Sequence, residues 1–284
     1  MDDTRHYREA NRRSWDVATD AHNSHKRDQA AFLRGGGSTL YPEEVALLGN
    51  LHGKRLLHLQ CNAGQDTLSI ASMLGATVTG VDISDTAIAF ATRLAADSGI
   101  PATFHRADVY DWLADATARG DQYDVVFASY GWWVWLPDLR RWVDGVASLL
   151  APGGRVVTIE FHPHLFSLDD DLRLAFPQFG GRRVEIPEGI GDYVAGSALA
   201  PSGYEPGVVD FANPHPTHEF GWALADLVGP LLRASFRLDT FEEYPYCNGG
   251  RFLPLLIDVG GGRFALPPHL PLAPHMFGIA ATRE

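Results

Sequence analysis

Cysteine is nearly missing from this 284-residue chain, which has only Cys61 and Cys247. Two thiols build no disulfide framework, so a reducing, cytoplasmic setting is expected. Lysine is almost as scarce: Lys26 and Lys54 stand alone among 23 cations, the rest being arginine. Positive charge is in deficit overall, with 23 Lys and Arg against 35 Asp and Glu, a net charge of −12. That balance offers no cationic footprint for DNA, RNA or anionic lipid, and neither a nucleic-acid nor a membrane partner is expected. Long apolar runs are lacking too. The longest, Val125–Leu136, falls far short of the roughly 20 residues of a membrane-spanning helix. The opening MDDTRHYREANRRSW has no apolar stretch of a secretory leader. What remains, 45% hydrophobic and 20% charged residues, is the composition of a folded globular protein.

From Lys54 onward the pattern alternates between strands and helices. Strands are predicted at Arg55–Leu59, Thr77–Val81, Ala102–Arg106, Asp124–Ser129 and Arg155–Phe161. Helices are predicted between them: one with Leu68, Ile70, Ala71 and Leu74, one over Thr86–Asp97, one from Asp108 through Trp112, and one with Leu139, Trp142, Val146 and Leu149. Such alternation implies a mainly parallel sheet with helices on both faces. Tyr7, Asn11 and Trp15 recur at helical spacing ahead of it, and Pro42 opens a short helix. Residues 162–217 break the rhythm, being rich in Pro and Gly, with eight acids against three arginines. A stretch that long is expected to be an insertion or cap rather than a plain loop. Helical spacing returns with Phe220, Leu224, Leu227 and Leu231, followed by strands at Arg237–Glu243 and His275–Thr282. One domain over residues 1–284 is expected: an N-terminal helical lid (1–40), a core (41–161), a cap (162–217) and a C-terminal part (218–284).

Ligands of open parallel sheets bind beyond the carboxyl ends of the strands. The first strand there runs into the turn of LLHLQCNAGQDT, residues 56–67, and the next helix opens near Gly64 with free N–H groups. Asp82 ends the second strand, placed to accept hydrogen bonds from both hydroxyls of a ribose. Asp108 ends the third, within reach of the exocyclic amine of an adenine.

The run LLHLQCNAGQDTLSIA, TGVDIS, ADVYD, YDVVFASYGWWVWLPDL and LLAPGGRVV, in that order over residues 54–161, resembles the class I S-adenosylmethionine-dependent methyltransferases. LQC followed by GQDT, with NRRSWD at residues 11–16, resembles bacterial small-molecule members. The resemblance implies a Rossmann-like, seven-stranded mixed α/β sheet in the order 3-2-1-4-5-7-6, with insertions after strands 5 and 6. It implies S-adenosyl-L-methionine as cofactor and S-adenosyl-L-homocysteine as product. By position, Gln60, Cys61 and Gly64 would line the methionine portion, Asp82 and Ile83 the ribose and one adenine face, Asp108 and Val109 the adenine edge and other face. Ser129 and Tyr130 would floor the methyl channel. The chain departs from the family's first motif, usually an acid and three glycines. His58 stands for the acid, and Gln60 and Asn62 stand for two glycines.

The acceptor side is read from residue chemistry and place. Glu160 and His162 follow the cofactor edge, and histidine titrates in the range general-base work needs; with Tyr130 they are the catalytic candidates. Trp15, Trp132, Trp133, His164 and His218 are the substrate-binding candidates. HPH at 162–164 with His215, His218 and Glu219 matches no strong zinc spacing, and no metal is assigned. The expected activity is transfer of a methyl group to an O, N or S atom of a small metabolite. The alternatives are C-methylation, a cofactor-binding protein without turnover, and a dinucleotide oxidoreductase, for which residues 58–64 lack the Gly-x-Gly-x-x-Gly turn.

Overall fold

The alternation expected from residue 54 is present in the computed structural model, which describes residues 3–171, 173–197, 199–249 and 255–284. Three helices come first: α1 (Arg5–Ser24), α2 (Gln29–Arg34) and α3 (Pro42–Leu48). The core continues as β1 (Arg55–Leu59), α4 (Gln65–Leu74), β2 (Thr77–Asp82), α5 (Asp85–Ser98), β3 (Thr103–Arg106), α6 (Val109–Arg119), β4 (Tyr123–Ser129), α7 (Leu139–Leu149) and β5 (Leu150–Phe161). Then come α8 (Pro163–Phe166), β6 (Arg182–Ile186), α9 (Tyr193–Ser197), β7 (Thr217–Gly221), α10 (Leu224–Arg233) and β8 (Phe236–Tyr244). The chain closes with β9 (Tyr246–Asn248), β10 (Ile257–Gly260), β11 (Arg263–Ala265) and β12 (Met276–Arg283).

Seven strands form one sheet in the order β3-β2-β1-β4-β5-β12-β8. The pairs from β3 to β5 are parallel, and β12 runs antiparallel between β5 and β8. With the two C-terminal strands counted as sixth and seventh of this sheet, that is the expected 3-2-1-4-5-7-6 arrangement. The alternation along β4 shows why the sheet is covered on both sides. Val126 and Ala128 face one core with Trp142, Val143, Val146 and Leu231, whereas Val125 and Phe127 face the other with Leu48, Leu51, Ile70 and Met276. Among the described residues no helix is long and apolar enough to cross a membrane.

Several element boundaries differ from the sequence reading. Phe220 belongs to β7 and pairs with Arg183 of β6; helix α10 begins only at Leu224, where the Asp226 carboxylate accepts from the Ala223 N–H. The apolar spacing of Phe220 with Leu224 is fortuitous: Phe220 is buried on β7 beside Tyr7 of α1, whereas Leu224 packs from α10 against the core around Trp142. Helix α6 extends to Arg119, well past Trp112. The Pro/Gly-rich stretch before β12 contains a small sheet, β10-β11-β9.

Helix α1 lies across the carboxyl ends of β2 and β3. Asp16 accepts from the Ser84 hydroxyl (2.7 Å) and the Thr86 N–H (3.2 Å), while Arg8 pairs with Asp108 (2.5 Å). On its other side Asn11 exchanges two hydrogen bonds with the backbone of His218, and Ser14 receives the Ile190 N–H. The N-terminal segment therefore bridges the core to residues 190–218.

Gly64 heads α4 with φ +79°, and a Cβ built there would stand 2.7 Å from Ala91 Cβ and 2.8 Å from the Phe104 ring. Left-handed backbone and lack of room act together. Gly64→Ala is expected to destabilise the fold by roughly 2–4 kcal/mol, read as a lowered urea midpoint at unchanged m-value.

Candidate active site

Beyond the carboxyl ends of β1, β2 and β4 lies a cavity of about 710 Å³. One wall is the core edge: His58, Gln60, Cys61, Asn62, Asp82, Ile83, Asp108, Val109, Ser129 and Tyr130. The facing wall comes from α1 and the segments after β5, including Trp15, Lys26, Tyr193, Leu199 and Glu219.

The turn after β1 keeps a left-handed backbone without the two glycines. Gln60 has φ +55° and Asn62 φ +48°. Asparagine tolerates this region, and Gln60 carries a cost of about 1–2 kcal/mol. Specific hydrogen bonds offset it. The Gln60 amide donates to the Trp132 carbonyl (2.6 Å), and the Asn62 N–H donates to Asp82 Oδ2 (2.8 Å). Asp82 Oδ1 accepts from the Ser84 N–H (2.9 Å). Each Asp82 oxygen thus retains a lone pair, and burial raises its pKa to about 6. Asp108 has both oxygens engaged, by the Tyr110 N–H and by Arg8. Cys61 is buried and its thiol is pushed well up by desolvation and by Asp82, so it is an inert wall residue.

Tyr130, also left-handed at φ +48°, directs its hydroxyl to Glu44 Oε2 (3.1 Å) and receives the Asn248 amide (3.0 Å). Burial and the Glu44 carboxylate push the phenol well up, so it is a neutral donor. Glu44 is itself fully buried and pushed well up, first by desolvation.

Residues 56–154 match the family model described as a methyltransferase domain. These residues form a methyltransferase domain. The ubiquinone biosynthesis O-methyltransferase of Bordetella avium is 30% identical over 122 residues, 42% of this chain and 48% of that protein. The ribosomal RNA large subunit methyltransferase K/L of Hahella chejuensis is 32% identical over 149 residues, 48% of this chain but 20% of that protein. The chain thus spans half or less of these relatives. In fold it is similar to an S-adenosylmethionine-dependent methyltransferase from Mesorhizobium loti (TM-score 0.53, 18% identity, covering 87% of this chain and 99% of that one). One from Clostridium acetobutylicum gives a TM-score of 0.52 at 10% identity, covering 89% and 90%.

Around the methyltransferase domain the expected residues divide. Gln60, Cys61, Asp82, Ile83, Asp108, Val109, Ser129, Tyr130, Trp15 and Trp132 meet in the cavity wall. Gly64 stands behind it, serving conformation and packing. Glu160 points away: its carboxylate accepts the N–H groups of Gly131 (2.7 Å), Trp132 (2.9 Å) and Phe161 (2.6 Å). It holds the turn rather than facing a substrate, and burial raises its pKa to about 7. His162 is also outside the wall, bonded to Glu243 (3.0 Å) and to His164 (2.9 Å). Position after β5 placed these histidines near the site, but α8 turns both rings toward the sheet edge. Trp133 packs in the core against Phe277. His218 lies on the far face of β7, against Tyr7 and Arg183, because its neighbours Thr217 and Glu219 point inward. Among the described residues no group of three or more His, Cys, Asp or Glu side chains is arranged to hold a metal ion.

Tyr41, Asp66, Trp135, Tyr193 and Asn248 complete the cavity and were missed in the sequence. They come from separate segments with no shared motif. Only GQDT carried a signal, as Asp66 lies inside it.

His58 is buried with Nδ1 on the Thr67 hydroxyl (2.9 Å), and desolvation pulls its pKa down to about 3. Its folded pKa lies below the ordinary 6.5, so the stability it contributes is present above pH 6.5 and lost as pH falls. At pH 5 that loss is about 2 kcal/mol. His58→Gln should flatten the fall in urea midpoint between pH 7.5 and 5, leaving the part due to His22, whose pKa burial lowers to about 4. An unchanged slope would refute the assignment.

Proposed function

We propose that the chain is an S-adenosylmethionine-dependent methyltransferase that methylates an O, N or S atom of a small molecule. The observation carrying this reading is the cavity in which the core edge and the enclosing N-terminal and 190–219 segments meet. A space walled on both sides suits a metabolite better than a nucleic-acid chain, and the net charge of −12 agrees. The methyltransferases of ubiquinone biosynthesis among its relatives support a small acceptor.

The wall fits the cofactor. Asp82 has lone pairs beyond its two backbone hydrogen bonds, Ile83 and Val109 line the same cavity with apolar side chains, and Gln60 Oε1 is buried with no hydrogen-bond partner among the described residues. When bound, the sulfonium supplies an already activated methyl group. The protein's task is then orientation and exclusion of water, with residues 3–40 as a lid over the site. The Tyr130 hydroxyl, its proton held by Glu44 and one lone pair by Asn248, keeps a second lone pair suited to receive an O–H or N–H of the acceptor and hold it in line. Trp15 and Trp135 offer flat apolar surface in the same cavity.

Incubation with methyl-labelled S-adenosylmethionine should move label into the small-molecule fraction of a cell extract and not into RNA. Label in RNA, or none despite S-adenosylhomocysteine binding, would sink the reading. Once an acceptor is found, Tyr130→Phe should lower kcat about tenfold to hundredfold. Its affinity for S-adenosylhomocysteine should stay near that of the parent protein.

A further inference from the structure

Two opposite charges line the cavity without touching each other. Lys26, one of only two lysines, follows the end of α1 and lines the wall; its ammonium makes no hydrogen bond or ion pair among the described residues. Asp66, in the first turn of α4, lines the same wall. Its Oδ1 accepts from the Thr39 hydroxyl (2.5 Å), while Oδ2 has no partner among the described residues. Each charge acts on the other electrostatically, yet they stand farther apart than an ion pair. Desolvation draws the Lys26 pKa down to about 8 and raises that of Asp66, so both charges lack a counterion at close range.

The gap is held open by construction. Gln65, next to Asp66, donates to Asn23 Oδ1 (3.0 Å) and to Gln29 Oε1 (2.8 Å). Those residues flank Lys26 in sequence, so the opening of α4 is tied to the chain on either side of the lysine. The Lys26 N–H bonds the Asn23 carbonyl, and its backbone bridges to Tyr204. At the end of β1, where an acid would stand, His58 is neutral and engaged with Thr67. Asp66 therefore supplies the negative charge at this end of the cavity.

We propose that Lys26 and Asp66 together seat a zwitterionic α-amino acid group, the lysine taking its carboxylate and the aspartate its ammonium. A group with opposite charges on one carbon is what an open pair of opposite charges accommodates, each contact being a charge-assisted hydrogen bond. The inference rests on the cofactor reading above and deepens it: the amino acid end of the cofactor is gripped partly by the N-terminal segment. Cofactor binding and closure of that segment are thereby coupled.

Calorimetric titration with S-adenosylhomocysteine and with 5′-methylthioadenosine tests this, since the second shares the nucleoside and sulfur but has no amino acid end. The parent chain should bind S-adenosylhomocysteine the more tightly. Lys26→Met and Asp66→Asn should each weaken that binding about tenfold to hundredfold and leave methylthioadenosine binding unchanged, which also reports an intact fold. Lys26→Arg should recover part of the loss. Equal weakening of both ligands, or of neither, overturns the pairing while leaving the cofactor reading standing. If the parent chain binds neither ligand, the cofactor reading falls and this inference with it.

Discussion

The carboxylate of Glu160 holds the turn between β4 and α7 by accepting the N–H groups of Gly131 and Trp132, besides that of its neighbour Phe161, and much of the cavity wall hangs from that turn. Fixing the N–H groups of Gly131 and Trp132 sets Tyr130 in its left-handed conformation, with its hydroxyl between Glu44 and Asn248. It also presents the Trp132 carbonyl to the Gln60 amide, which steadies the turn after β1. The second turn is held in parallel by Asp82, through the N–H groups of Asn62 and Ser84. Two buried carboxylates thus organise loops that parallel strands leave with unsatisfied N–H groups, at a cost seen in their raised pKa values.

Around this frame α1 is strapped by charge and amide pairs, while α2 packs Leu33 against Leu68, Leu94 and Ala95. Arg8 to Asp108, Asp16 to Ser84 and Asn11 to the His218 backbone run along α1, and Gln65 ties its far end to α4. Polar contacts of this kind exchange with water more readily than core packing, which suits a segment that must admit a ligand. The two largest apolar cores, by contrast, sit on the two faces of the sheet.

The core was legible because its elements have period. Strand runs such as DVVFAS and the stripe of Trp142, Val143, Val146 and Leu149 reflect burial on defined faces, and strand-end acids such as Asp82 and Asp108 fall at regular places. The departure at Gln60 and Asn62 proved conformationally silent, because side-chain hydrogen bonds sustain the backbone that glycine adopts freely. Phe220 misled for the opposite reason: one apolar residue before a helix has no period of its own. His162 and His164 misled because proximity in sequence to a strand end does not say which way a four-residue helix turns its side chains.

The sheet order and the places of Gln60 and Tyr130 were legible through the family resemblance, whereas the sequence by itself determined the alternation of strands and helices and the places of Asp82 and Asp108 at strand ends. Local periodicity and the geometry of parallel strands suffice for these. Only the tertiary structure decided which side chains meet across the cavity. Lys26, Tyr41, Asp66 and Asn248 lie on segments without a common pattern. It alone showed that Glu160 supports a turn and that His162 and His218 face elsewhere. Side-chain direction at loop and edge positions is set by long-range packing and hydrogen bonding, which no local run of residues encodes.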